Sequence, residues 1–396
     1  MLIEHLNRQL REREAQGLQR QRRIAESPCA PHQRVSRHGQ PARDLLAFCS
    51  NDYLGLAAHP ALQDALAEGA QHFGAGSGAS HLINGHSRAH AALEADLANW
   101  LTPCIPNAQA LTFCTGYMAN LALLTALGDA SATVFADKLN HASLIDGALL
   151  AKAPMQRYPH GNLAILAKQL ARCSTPVKLI VTDAVFSMDG DLADLPALLA
   201  LAERFDAWLV VDDAHGFGVL GVNGGGVLSH FGLDSAHIAY VGTLGKAAGV
   251  SGAFVAGSEE LVELLIQRAR AYVYTTASPP ALAAALLRSV EIMAAEGWRR
   301  QRLVELTARL AGVLELRNWH LRTSSTAIQP LIIGGNHEAV ALSDALATNG
   351  ILVPAIRPPT VPKGSARLRI SLSAAHTEGD VDRLVEELQR AEAVLS

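Results

Sequence analysis

The sequence predicts an α/β protein: a mostly parallel sheet in a large domain, followed by a smaller C-terminal α/β domain. Three observations carry this. Near-continuous apolar runs recur at 110–114, 132–136, 179–181, 208–211, 238–241 and 254–256. Helical patterns such as 119–127 and 196–205 lie between the first five, as where helices cover both faces of a parallel sheet. Polar residues then follow each of those five runs: Gly116 and Tyr117, His141, Ser187, Asp212 with His215, and Thr243 with Lys246. Open α/β sheets build their sites at the carboxyl edge of the strands, so the five strand ends are expected to converge on one site.

Composition is that of a globular chain. Of 396 residues, 49% are hydrophobic and 18% charged, and the net charge of -4 offers no electrostatic footprint for nucleic acid. The cysteines at 29, 49, 104, 114 and 173 form no C-x-x-C pair, which suggests reduced thiols and a cytoplasmic location. The charged N-terminus excludes a signal-peptide core, and the Ala-rich run at 280–287 is too short to span a membrane.

Taken in order, residues 2–24 predict an amphipathic helix with Ile3, Leu6 and Leu10 on one face, packed on another element. Residues 45–56 run from an apolar strand into a polar turn, and Pro60 opens a helix to about Phe73. Gly74 to Ser80 is glycine-rich, but it follows a helix and reads G-x-G-x-G, so a close-approach loop fits better than a dinucleotide site. A helix follows over about 88–100, with Leu93 and Leu97 inward. Beyond Glu291 the pattern gives a helix through Leu316, a strand at 327–333, a helix at 338–348 and an apolar run at 351–356. Residues 366–373 alternate strictly, which predicts a half-buried strand and one exposed sheet face. Thr377 and Asp380 form a capping box for the last helix. The division is thus an N-terminal helix and arm over 1–56, a large domain over 57–288 and a small domain over 289–396.

A lysine beside glycines, a carboxylate after a strand, histidines and a helix start suit pyridoxal phosphate (PLP). The lysine bonds covalently, and a carboxylate keeps the pyridine nitrogen protonated, which makes the ring an electron sink. Asp212 is the candidate carboxylate and Asp213 its competitor. His141 suits stacking on the ring, and His215 suits a bond to its phenolic oxygen. Gly116 and Tyr117 opening a helix, with Thr243, suit the phosphate.

Here a resemblance becomes specific. Ser50-Asn-Asp-Tyr-Leu-Gly55, Phe186-Ser-Met-Asp-Gly-Asp191, Val211-Asp-Asp-Ala-His-Gly216 and Thr243-Leu-Gly-Lys-Ala247 resemble the α-oxoamine synthases. These are fold-type I PLP enzymes that condense an amino acid with an acyl thioester and lose CO₂. Within them, Ser325 to Pro330 and Ala355 to Pro362 resemble the members that use L-alanine and a pimeloyl thioester, on coenzyme A or acyl carrier protein. The resemblance implies Lys246 as Schiff-base lysine and Asp212 at the pyridine nitrogen. It implies cofactor contacts from His215, Ser187 and a stacked His141, and a phosphate site at Gly116, Tyr117 and Thr243. It implies substrate contacts from Arg357, Thr360 and Arg20, with Arg22 or Arg23 as alternatives to Arg20. It also implies a homodimer, with the 74–86 loop and the N-terminal helix contributed across the interface. Phe217 and Gly224-Gly-Gly226 depart from the family pattern without removing a catalytic group.

Competing readings have their own residues. Sister α-oxoamine synthases would share these groups and differ in amino acid and acyl chain. Gly85-His-Ser-Arg-Ala89 nearly matches a nucleophile elbow, which would make Ser87 the centre of a serine hydrolase. His86 and His90, at i and i+4, would be zinc ligands if a third joined them, although no metal is expected.

Overall fold

The computed structural model describes residues 1–395 except His38 and Gln40. It divides into two compact units. One holds residues 54–187 and 191–300, and the other holds 1–53, 188–190 and 301–396.

The larger unit is built on seven strands: β1 (Gln109–Phe113), β2 (Ala132–Asp137), β3 (Met155–Tyr158), β4 (Val177–Asp183), β5 (Trp208–Asp212), β6 (Ile238–Thr243) and β7 (Ala253–Gly257). Their order is β1-β7-β6-β5-β4-β2-β3. Strand β7 is antiparallel to both β1 and β6; β2, β3, β4, β5 and β6 pair with one another in parallel. The expected mostly parallel sheet is therefore present. Its strands are apolar because helices cover it on both faces. Val134, Val181, Val210 and Val241 are almost wholly withdrawn from solvent, each contributing about 1.5–3 kcal/mol of transfer free energy. Strand β3 escapes sequence periodicity because it is a short edge strand in which Tyr158 alone is buried.

Two helices position the site. Helix α1 (Gly116–Leu127) follows β1 and is capped by Thr115, whose hydroxyl accepts from Met118 N–H. Helix α2 (Ala142–Leu150) follows β2 and is capped by the His141 ring. The helix Pro60–Phe73 begins at its proline as expected and packs against Pro280–Ala295. Gly69 permits that approach, since a Cβ there would stand 2.8 Å from Ala284 Cβ. The helix expected to run through Leu316 is interrupted. Glu296 leaves helical geometry, and a second helix spans Trp298–Val313.

The smaller unit holds two four-stranded sheets. In one, Arg23–Ala25, His32–Arg37 and Arg43–Ala47 are antiparallel, and Ile351–Leu352 joins in parallel. In the other, Ala366–Ser371 lies between Ile328–Gly334 and Ala355–Ile356. The N-terminal helix is shorter than its pattern suggests, Leu2–Ala15, and buries none of its residues. Gly17 has φ 63, which turns the chain, and Arg23–Ala25 is committed to sheet pairing. The capping box is formed: Thr377 N–H donates to Asp380, and Asp380 N–H to the Thr377 hydroxyl. No helix among the described residues is long and apolar enough to cross a membrane, and all five cysteines are free thiols.

The strand Ala366–Ser371 corrects its expected half-burial, because all six residues are buried. Its polar face is covered, and each arginine on it has partners. Arg367 donates to Asp189 Oδ1 at 2.8 Å and to Met188 O at 3.0 Å. Arg369 donates to Asn51 Oδ1, Ser371 Oγ and Tyr53 Oη at 3.2, 3.0 and 3.3 Å. A buried guanidinium is tolerated when its donors are matched, and it is costly once a partner is removed. Asp189→Ala should therefore destabilise the protein by about 3–5 kcal/mol, read as a lower urea midpoint with an unchanged slope.

Candidate active site

The carboxyl edge of the larger unit's sheet gathers the expected polar groups through a short hydrogen-bond chain. Asn120, buried on α1, donates to Asp212 Oδ2 at 2.6 Å and to Ser143 Oγ at 2.8 Å. Ser143 Oγ lies 2.7 Å from His141 Nδ1, which also accepts from Ser143 N–H at 3.3 Å. His141 Nδ1 is thus the acceptor, and the proton of a neutral ring sits on Nε2. Burial lowers the ring's pKa, and the Asp212 charge opposes this only in part. A neutral, flat imidazole at this place suits stacking.

Asp212 ends β5, with its Oδ1 accepting from Ala214 N–H at 3.0 Å. Directly across the register on β4 stands Asp183, fully buried, accepting from His141 N–H at 2.6 Å. Burial first, and then the Asp212 charge, push the Asp183 pKa well above the carboxylate range. Burial thus favours the protonated form of Asp183 beside Asp212.

Asp213 faces elsewhere. Its Oδ2 accepts from Tyr240 O–H and Val227 N–H, both at 2.7 Å. Burial raises its pKa to about 7. Gly226, at φ +80, leaves room for it, since a Cβ there would lie 2.3 Å from Asp213 Oδ2. Packing thus turns Asp213 towards Tyr240 and Val227, while Asp212 joins the Asn120–His141 cluster.

Lys246 follows β6, and its Nζ lies 2.9 Å from His215 Nε2. Thr243 ends the same strand, with its hydroxyl donating to Gly252 O at 3.2 Å. A Cβ on Gly116 would stand 3.8 Å from Thr243 Oγ1, so this hydroxyl adjoins the start of α1. The first N–H groups of a helix lack intrahelical acceptors and favour an anion. Tyr117, in that first turn, is partly exposed and donates to Asp146. Ser187 lies on the turn after β4. An amine, a carboxyl group, a neutral imidazole and a helix start with a hydroxyl form a donor set that fits PLP. Asn120, Ser143 and Asp183 were not singled out from sequence. Asn120 alone left a signal there, as a polar residue inside the apolar helix 119–127.

The smaller unit brings Arg20, Arg357 and Thr360 to one cavity of about 690 Å³. Arg23 and Arg37 also line it, and Arg22 does not. Arg357 donates to the carbonyl oxygens of Gly17 and Gln19, which ties the cavity wall to the segment carrying Arg20.

The competing centres resolve into local structure. Ser87 Oγ lies 3.0 Å from His90 Nδ1, but that pair is the capping box of the helix Arg88–Leu101. His90 Nε2 lies 3.0 Å from the Ser278 carbonyl oxygen, where a triad would place a carboxylate on the second ring nitrogen. His81 supplies a third imidazole, its Nδ1 3.0 Å from His86 Nδ1. Yet both nitrogens of His90 are engaged, by Ser87 and Ser278, so the cluster does not present three free lone pairs to a metal.

The family model for aminotransferase class I and II matches residues 43–388. An 8-amino-7-oxononanoate synthase of Polaromonas naphthalenivorans is 70% identical, over 99% of this chain and 98% of its own. A structure of serine palmitoyltransferase from S. paucimobilis with bound PLP-myriocin aldimine superposes with TM-score 0.90 at 28% identity, covering 99% of this chain and 97% of that one. An 8-amino-7-oxononanoate synthase structure from Francisella tularensis gives TM-score 0.75 at 32% identity, covering 88% and 98%. The fold is therefore fold-type I, and the chain belongs to the class I and II aminotransferase family, on the branch of the 8-amino-7-oxononanoate synthases.

Proposed function

We propose that the protein is a PLP-dependent acyltransferase of biotin biosynthesis. It condenses L-alanine with a pimeloyl thioester and yields 8-amino-7-oxononanoate, CO₂ and the free thiol. The observation that carries this reading is the site in the larger unit, where one amine, one carboxyl group and one neutral imidazole are each held by a dedicated partner. Full-length similarity to relatives of that name selects this reaction among those the site could run.

Bound PLP supplies an electron sink for the pair released at the amino-acid Cα. Lys246 would hold the cofactor covalently through Nζ, and the same amine would serve as the base for the Cα proton. Its bond to His215 orients Nζ for both tasks. Asp212, held by Asn120 and the Ala214 N–H, would keep the proton on the pyridine nitrogen. His141 offers its ring face, with Ser143 and Asn120 setting its tautomer. His215 and Ser187 would contact the cofactor, and Gly116, Tyr117 and Thr243 would hold its phosphate. Arg357 binds the amino-acid carboxylate, and Arg20 and Thr360 meet the acyl substrate. Across the net reaction the Cα–carboxylate bond breaks, a Cα–acyl bond forms, and the thiol leaves with a proton.

The reading includes a homodimer in the cytoplasm. The helix Leu2–Ala15 supports the dimer, because Leu2, Ile3, Leu6 and Leu10 are exposed and await a surface to cover them.

An absorption spectrum with PLP, then L-alanine, then pimeloyl-CoA or pimeloyl-acyl carrier protein tests the reading. A near-visible band should respond to alanine, with thiol released only after the thioester is added. A band that answers glycine or serine and ignores alanine would move the reading to a sister enzyme. Lys246→Ala should release PLP on dialysis and lower turnover roughly a thousandfold or more. Asp212→Asn should cost roughly a hundredfold or more in kcat, because a neutral amide does not hold the ring proton. Asp213→Asn should keep most turnover and change the pH dependence of stability instead. The folded-state pKa of Asp213, about 7, exceeds its ordinary 3.8, so the folded state binds that proton more tightly. Its contribution is full at low pH and is lost as pH rises between those values. Relative to Asp213→Asn, the wild type should lose stability across that interval, as urea midpoints would report.

A further inference from the structure

His160 follows β3 and has a carboxylate at each ring nitrogen. Its Nδ1 lies 3.2 Å from both oxygens of Asp137, and its Nε2 lies 2.8 Å from Asp191 Oδ2. Both nitrogens must then carry hydrogen, so the ring is an imidazolium donating at both ends. Hydrogen bonds to Asp137 and then Asp191 raise its pKa to about 10, against the burial that would lower it. Asp137 also faces the buried Tyr158 phenol, which burial and the Asp137 charge keep neutral, and the buried Asp183, whose pKa the same charge helps to raise.

The two acids belong to different loops of the site. Asp137 ends β2 and accepts from Leu139 N–H at 2.8 Å and Gly161 N–H at 3.1 Å, which shapes the turn leading into His141. Asp191 closes the turn that carries Ser187, since Phe186 N–H donates to its carbonyl at 3.0 Å. The His160 ring also packs edge-on against Phe186, with centroids 4.3 Å apart.

We propose that His160 is a positioning residue that ties the His141 loop to the Ser187 turn by donating from both ring nitrogens. It rests on the PLP reading only in that His141 and Ser187 face the cofactor. The ring state is read from ¹⁵N-histidine NMR of the wild type, cofactor-free and PLP-loaded. At about pH 8 an ordinary histidine is neutral, whereas both nitrogens of His160 should stay protonated in both forms. A neutral ring there would overturn the proposal.

His160→Gln keeps an amide donor for one acid and abandons the other. It should speed hydrogen exchange at the Leu139 and Phe186 amides and weaken PLP binding, each by roughly tenfold or more. Asp191→Asn should act in the same direction. The double variant should be little worse than the stronger single one, because the clamp breaks once. Unchanged exchange in both single variants, or additive losses, would also overturn the proposal. If the wild type binds no PLP, the functional reading falls, while ring protonation and amide exchange of the cofactor-free protein still decide the clamp.

Discussion

Three carboxylates meet at the ends of two adjacent strands, and the site depends on their being held apart by different partners. Asp183 and Asp212 face each other across the β4–β5 register, and Asp213 follows in the chain. Residues so paired lie about 5 Å apart, where two like unit charges repel by about 3 kcal/mol at an effective dielectric near 20. The fold meets this constraint by giving each acid different neighbours. Asp212 receives Asn120 and the Ala214 N–H, Asp183 is buried with its proton, and Asp213 is turned to Tyr240 and Val227 N–H.

The same device sets the histidines. His141 is kept neutral by burial and by accepting at Nδ1, while His160 is kept charged by two acids. Each imidazole thus has a protonation state chosen by its partners, over a range that spans physiological pH. A stacking ring gains from being neutral, and a tie between two carboxylates needs the charge. The smaller unit follows the same rule with arginine: Arg367 and Arg369 are buried with hydrogen-bond acceptors around their guanidinium groups.

Polar groups inside an apolar frame explain where pattern reading succeeded and where it did not. Strands β2, β4, β5 and β6 were legible because burial on both faces demands continuous apolar runs. Lys246, Asp212, His215 and His141 could be placed at strand ends from sequence because each ends or follows such a run. Residues 366–371 misled, because alternating arginines look solvent-facing when their partners, Asp189, Asn51 and Tyr53, lie far away in sequence. Asn120, Ser143, Asp183 and His160 were missed for a related reason. Each matters through a partner on another element, and a linear pattern carries no trace of that partner.

The order of strands and helices, the run of polar strand ends and the lysine among small residues follow from the sequence alone, because secondary-structure period and local sterics are written along the chain. The choice of Asp212 over Asp213, the tautomer of His141, the charge on His160 and the burial of Arg367 belong to the tertiary structure. Protonation and ion pairing depend on desolvation and on neighbours within a few ångströms, and folding brings those neighbours from dozens to hundreds of residues away.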